Sequence, residues 1–214
     1  MQKRQSGFTL VEIAIVLVII GLLLGGVLKG QELINSAKVK NLANDFRNIA
    51  TFVYAYQDKF RALPGDDAAA AAHVNGTPAS TPEKALGNGR IDGAWDSTTK
   101  TDESYLFWQH VRLAGLATGT TETSNAADYI PRNADGGKIG VTGNTVLSGW
   151  AGNFFICSSG IQGRFARQLD TMIDDGNTTT GAVRALGTGT GGAATAYEVK
   201  TADDATLFTV CVAN

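Results

Sequence analysis

Two hydrophobic patterns succeed one another over the first 60 residues. Residues 8 to 28 form an apolar run of 21 residues in which Glu12 is the only ionisable side chain. Further on the pattern becomes periodic. Leu42, Phe46, Ile49, Val53, Tyr56 and Phe60 recur at spacings of 4, 3, 4, 3 and 4, which places them on one stripe of a helix. Lys38, Lys40, Asn44, Arg47, Asn48 and Lys59 fall on the opposite face. No proline interrupts residues 8 to 60, so one continuous helix is expected, apolar all round at first and amphipathic later. It should end near RALPGDD, where Pro64 restricts Leu63 and Gly65 opens a turn.

The first pattern is long enough for lipid. A bilayer core about 30 Å thick takes ~20 helical residues, so residues 8 to 28 suffice for one crossing. Lys3 and Arg4 precede the run with no acid beside them, which keeps that end cytoplasmic and exports the remainder. A cleaved secretory signal fits poorly. Its apolar region spans only ~7–15 residues before a small-residue cleavage site, whereas this run passes unbroken into polar helix.

Beyond residue 60 the signals shorten. Residues 66 to 76 read as a helix capped by Asp66 or Asp67, running through the alanines to Asn75-Gly76. A second helix is expected over 103 to 114, capped by Thr101 or Asp102 and stopped at Gly115. A third is expected over 164 to 173, with Phe165, Leu169 and Met172 or Ile173 on one side. Residues 153 to 158 and 206 to 212 have the Phe, Ile, Val and Thr content of strands, and AYEVK at 196 to 200 is a further strand candidate. The tract GTGTGGAAT at 187 to 195 reads as an exposed loop.

Composition agrees with an anchored, exported chain. Its 214 residues suffice for one domain beyond the anchor, and a net charge of −2 argues against general nucleic-acid binding, which requires a basic face. Cys157 and Cys211 both lie in strand-like contexts. In an oxidising compartment they are expected to pair, closing a loop of about 55 residues and contributing roughly 4 kcal/mol. The alternative is two buried free thiols.

The stretch Gly7-Phe8-Thr9-Leu10-Val11-Glu12, with a basic leader before it and an apolar helix after it, resembles the N-terminal signature of type IV pilin-like proteins, which include pilus subunits and the pseudopilins of type II secretion. The resemblance covers roughly residues 1 to 30. It implies an α+β fold shaped as a pilin-like ladle, a long N-terminal helix packed on a small antiparallel sheet. It divides the chain into a leader (1–7), a transmembrane or filament-core helix (8–28), its amphipathic continuation (29–60) and a globular head (61–214). A prepilin peptidase would cut between Gly7 and Phe8 and methylate the new amine of Phe8. The implied function is that of a structural filament subunit; a secretion pseudopilin, or a minor pilin with a binding head, is the alternative. The implied partners are pilin-like subunits, the peptidase, an inner-membrane assembly platform and, before assembly, the lipid bilayer. The chain would sit once across the inner membrane with its head periplasmic, then in an envelope or extracellular filament.

Glu12 gains a purpose in that setting. A carboxylate is penalised in a membrane span, but near a helix N-terminus it is favourable. In a filament a neighbour's terminal amine would pair with it and so set the stagger between subunits. The bland alternative is an interfacial glutamate reaching water. Many pilins carry a proline near the end of the apolar run; here GGVLKG stands instead, and Gly21 with Gly25 forms a small-xxx-small pair.

Other chemistry is sparse. Asp174 and Asp175 close a helix ahead of Gly176 and oppose its dipole, so a cation should compensate them: a bound calcium, or more simply Arg167 or Arg184. GNGRIDG at 87 to 93 is read as a turn rather than a calcium loop, because Arg90 stands where a ligand belongs. Gly187, Gly189 and Gly192 match a dinucleotide-loop spacing by chance within a glycine tract. His73 and His110 are isolated, and no nucleophile elbow or zinc-protease spacing occurs, so an enzyme is not expected. Trp95, Trp108 and Trp150 suit core packing better than adhesion.

Overall fold

The computed structural model describes residues 9–80, 86–187 and 194–214. Helix α1 (Leu10–Phe60) runs for 51 residues and ends where Arg61 turns into the left-handed region, three residues before Pro64. The chain forms two compact units, Met1–Lys38 and Val39–Asn214. Within the first, every residue from 9 to 29 is exposed.

In the second unit α1 carries a buried stripe of Val39, Leu42, Ala43, Phe46, Ile49, Val53 and Tyr56. The expected stripe is therefore present and begins one turn earlier, while Phe60 at its end is only half-buried. Four strands follow, β1 (Ile139–Thr142), β2 (Phe155–Gln162), β3 (Val183–Leu186) and β4 (Leu207–Ala213). They form one antiparallel sheet in the order β1-β2-β4-β3. The fold is α+β.

Strand alternation gives the sheet two buried faces. Ile139, Val141, Ile156, Val183, Ala185, Val210 and Val212 join the α1 stripe in the larger core, with helices α3 (Glu103–Leu113), α4 (Ala126–Tyr129) and α5 (Gly163–Ile173). The opposite face places Phe155, Cys157, Leu186 and Cys211 beneath Leu147 and Trp150. Each large side chain so buried contributes ~1.5–3 kcal/mol. Cys157 and Cys211 face each other in the β2–β4 register and are joined by a disulfide. A bulge between Ser158 and Ile161 shifts the register, with Gly160 at φ 72°.

Several elements depart from the sequence reading. Helix α2 (Ala70–Val74) is capped by Ala69, not by an aspartate, because Asp66 and Asp67 turn inward and are buried. Asp102 stands at the N-cap of α3 without a capping bond; its carboxylate accepts instead from the Ser97 hydroxyl at 2.6 Å. AYEVK is not a strand: it offers a single bridge, Leu186 to Ala196, and only Val199 is buried. In α5, Phe165 and Leu169 are buried and Ile173 packs on the core, while Met172 is exposed. Trp108 and Trp150 are buried and Trp95 half-buried, which is the packing role expected of them. Of the 187 to 195 tract, residues 188–193, Gly189 and Gly192 among them, lie outside the described residues.

Candidate functional site

The start of α1 solves a local problem of its own. The first backbone N–H groups of any helix lack intrahelical partners. Thr9 precedes the helix and Glu12 occupies its first turn. The backbone N–H of Thr9 donates to Glu12 Oε2 at 2.8 Å, and the Thr9 hydroxyl donates to the same oxygen at 2.7 Å. In return the Glu12 N–H donates to Thr9 Oγ1 at 3.3 Å. This is the reciprocal arrangement of a capping box. Thr9 was not singled out from the sequence, although T-L-V-E ahead of an apolar run is the pattern that announces such a cap. Gly7 and Phe8, the expected cleavage and methylation point, lie outside the described residues.

The helix beyond this cap is suited to lipid or to other helices. Leu10, Val11, Ile15, Leu17, Leu22, Leu23 and Leu28 are each more than half exposed. The segment is long and apolar enough to cross a membrane. A Cβ built on Gly21, Gly25, Gly26 or Gly30 would meet no atom within 4 Å, so these glycines leave open notches rather than answering a contact within the chain. Past the notches Lys29 pairs with Glu32 at 2.7 Å on the exposed surface.

In the head, the acids settle into two places. Around the end of α1, Asp66 accepts the backbone N–H groups of Gly87, Asn88, Gly89 and Arg90. GNGRIDG is therefore a turn, wrapped about a buried carboxylate. Asp67 accepts from the Tyr56 hydroxyl at 2.7 Å, from Ala69 N–H at 2.8 Å and from His73 Nδ1 at 2.8 Å. Burial pushes its carboxyl up, but those bonds outweigh burial and hold it below its ordinary value. His110 is fully buried: its Nδ1 accepts from Gly65 N–H at 2.9 Å and its Nε2 lies 2.8 Å from the Thr77 carbonyl. Burial lowers its pKa, and a neutral ring with the proton on Nε2 satisfies both bonds. Both histidines have structural contacts: His110 pins two turns and His73 stacks on Phe60 with 5.2 Å between ring centroids.

The second place is the end of α5. Asp170, Asp174 and Asp175 bring one carboxylate oxygen each to within 4.8 Å of one another. Burial first, then the neighbouring charges of Asp175 and Asp174, push Asp170 up to about 6. The Thr180 hydroxyl first and, more weakly, the Arg184 charge hold the Asp175 carboxyl below its ordinary value, so one of the two arginines expected to compensate the cluster does so in part. Arg167 pairs with Asp204 at 2.5 Å, and Arg184 donates to the Gly181 carbonyl at 3.3 Å and covers the Trp150 ring. Asp170 was not named from the sequence; its i, i+4 spacing to Asp174 on the helix was the available signal.

Comparison with curated proteins and with solved structures gives no match. The family model described as "Prokaryotic N-terminal methylation motif" matches residues 2–28. That span contains the basic leader, the capping box and the exposed apolar helix. On this α+β chain, residues 2–28 are thus the N-terminal methylation motif that is the hallmark of type IV pilins and pseudopilins.

Proposed function

We propose that the chain is a structural subunit of a type IV pilus or pilus-like filament, cut between Gly7 and Phe8, methylated on the Phe8 amine and assembled through its N-terminal helix. The observation that supports this reading is the methylation motif at residues 2–28, on a helix exposed at every residue described from 9 to 29. Before assembly the apolar segment resides in the inner membrane, with the head exported to the periplasm. An assembly platform then extracts it into the filament.

Glu12 has a part at each stage. In the single chain the capping box keeps its carboxylate hydrogen-bonded where lipid would otherwise penalise it. In the filament the same anion receives the terminal amine of a neighbouring copy, and a misplaced neighbour leaves it unmatched. Charge pairing in a low dielectric is strong and sensitive to position, so it sets the register between subunits.

Mass spectrometry of the mature chain tests the processing step. A terminus at Phe8 carrying one methyl group is expected; a terminus at Met1 would overturn the reading. Deletion of the protein, scored for both surface filaments and secreted proteins, separates the two systems. Loss of filaments with normal secretion supports the pilus, and the converse supports a secretion pseudopilin.

A further inference from the structure

We propose that Asn177, in the connection between α5 and β3, is the acceptor of an N-linked glycan, transferred from an oligosaccharide carried on a polyprenyl pyrophosphate. This site depends on the head being exported, as in the reading above, and not on how the N-terminal helix assembles.

Asn-x-Ser/Thr, with x other than proline, is the acceptor pattern for such transfer and belongs on surface loops of exported proteins. The sequence holds it twice, at Asn75-Gly76-Thr77 and at Asn177-Thr178-Thr179. The structure separates the two. Asn177 is exposed, and its Oδ1 accepts both the Thr179 N–H at 3.1 Å and the Thr179 hydroxyl at 2.8 Å. The hydroxyl that the pattern requires is thus already on the carboxamide. Both groups of Thr179 donate, so the oxygen of the carboxamide is the atom that faces them. Nδ2, the atom that takes the sugar, has no hydrogen-bond partner among the described residues.

The surrounding turn holds this arrangement at the surface. Asp175 Oδ1 accepts the Asn177 N–H at 2.8 Å, and the Thr180 N–H donates to the Asn177 carbonyl at 2.9 Å. Thr178 is buried; its hydroxyl donates to the Tyr197 carbonyl at 2.8 Å and accepts the Val199 N–H at 2.9 Å. The middle residue of the pattern is therefore anchored inward while Asn177 stays outside.

Asn75 is exposed too, but its threonine is tied down elsewhere. Asn75 closes α2 at φ 56°, and the Gly76 N–H donates back to the Ala70 carbonyl at 3.1 Å. The Thr77 N–H donates to Gln109 Oε1 at 2.8 Å, and the Thr77 carbonyl lies 2.8 Å from His110 Nε2. Pro78 restricts Thr77 further. Among the described residues no hydrogen bond joins Thr77 to Asn75, and making one would undo the end of α2. Asn75 therefore stays bare.

The transfer is a substitution at the anomeric carbon. A bond forms from Asn177 Nδ2 to that carbon, and the bond from the carbon to the pyrophosphate oxygen breaks. Polyprenyl pyrophosphate leaves with the electron pair, and Nδ2 gives one of its two protons to a base of the membrane-bound oligosaccharyltransferase. Nothing is oxidised or reduced.

The test takes the full chain from its native cell, digests it, and reads the peptides by electron-transfer mass spectrometry, which leaves glycans on their residues. A glycan mass on Asn177 and none on Asn75 is expected. Asn177→Gln and Thr179→Ala lose that mass, Thr179→Ser retains it, and Asn75→Gln leaves it unchanged. Thermal unfolding of the Asn177→Gln chain, altered at an exposed position, shows that the loss is not misfolding. A glycan that survives Asn177→Gln, as one on a threonine would, overturns the proposal, and so does a glycan on Asn75 alone. The N-terminal peptide of the same digest distinguishes the two readings. A bare Asn177 on a chain that begins at methylated Phe8 overturns this proposal only; a bare Asn177 on a chain that begins at Met1 overturns both.

Discussion

The start of α1 and the head treat charge in opposite ways. In the apolar segment a lone carboxylate stands where charge is least welcome, yet one of its oxygens, Oε2, accepts two hydrogen bonds from Thr9, three residues away. In the head, where water is near, some carboxylates are buried with an oxygen left unmatched: Glu103 Oε1 and Asp170 Oδ2 have no hydrogen-bond partner. Lipid offers no substitute donor, so a span must satisfy its polar groups within reach of its own backbone. A globular head tolerates an orphaned acceptor when a proton or an ion can reach it. A hydrogen-bonded carboxylate suits a segment long and apolar enough to cross a membrane, whereas the head holds both satisfied carboxylates, Asp66 and Asp67, and unsatisfied ones.

The largest expected effect breaks the first half of that comparison. Glu12→Gln keeps an oxygen that can accept from Thr9, since glutamine serves in capping boxes as glutamate does, but it removes the charge. Glu12→Ala removes both. If amine pairing drives assembly, both variants are inserted and processed yet yield no filaments. If capping alone matters, Glu12→Gln assembles normally and Glu12→Ala does not. Electron microscopy of sheared filaments, with immunoblots for processing, distinguishes the outcomes.

Next in size is the disulfide, which only the head possesses. Replacing Cys157 and Cys211 by serine reopens a loop with a sequence separation of 54. Roughly 4 kcal/mol of head stability should go with it, read as a lower urea midpoint in the fluorescence of Trp108 and Trp150. An unchanged midpoint would show that the two-sided core holds the β2–β4 register unaided.

Much of this division was legible in the sequence, for physical reasons that also explain the failures. The α1 stripe could be read because its apolar residues repeat over many turns, and β2 and β4 because their alternating Phe, Ile and Val face two cores. Strands β1 and β3 escaped because IGVT and VRAL are only four residues long. Gly140 further disguises β1: the Trp95 carbonyl occupies the space a side chain would need. AYEVK has the composition of a strand but nothing in its sequence reveals that a single bridge is all it makes. The sequence presents Asp66 and Asp67 as caps because local bonding is the usual use of such residues; their partners instead include the 87–90 turn and Tyr56, which only the tertiary fold brings near. At the N-terminus, the roles proposed for Gly7, Phe8 and Glu12 rest on a motif, whereas Thr9 needed only the spacing of a cap.

Glu103 sharpens the second half of the comparison. Burial, with repulsion from Asp66, Asp92 and Asp102, pushes its carboxyl up to about 7, against the downward pull of the Asp92 N–H at 2.7 Å. Arg90, the nearby cation, is 3.6 Å from Asp92 and so engages that acid rather than Glu103. In the unfolded chain the group titrates near the usual 4.5. Between those values the folded state holds the extra proton, so stability falls as pH rises from about 4.5 to about 7 and stays lower above. The shift corresponds to about 3 kcal/mol. Glu103→Gln should therefore exceed the parent's stability by about that amount at pH 8, with the advantage vanishing below pH 4.5. A difference constant across urea titrations at several pH values would refute this assignment.

The smallest effect concerns a head carboxylate that is fully satisfied and so behaves more like Glu12. Tyr56→Phe removes one of three donors to Asp67, leaving Ala69 N–H and His73 in place. With the remaining donors retained, the loss at neutral pH should be about 2 kcal/mol, the net worth of one bond to a charged group. Because the Tyr56 bond helps hold the Asp67 carboxyl low, its removal raises that pKa toward the unfolded value. A depressed acid contributes stability that is present above its unfolded pKa and lost as pH falls through the folded one. The Tyr56→Phe deficit should therefore be full at neutral pH and shrink on acidification, the reverse of the trend with Glu103→Gln, whose gain is largest at alkaline pH. Opposite pH slopes from two substitutions in the head would show that partnering, rather than burial, decides which of its carboxylates stabilise it.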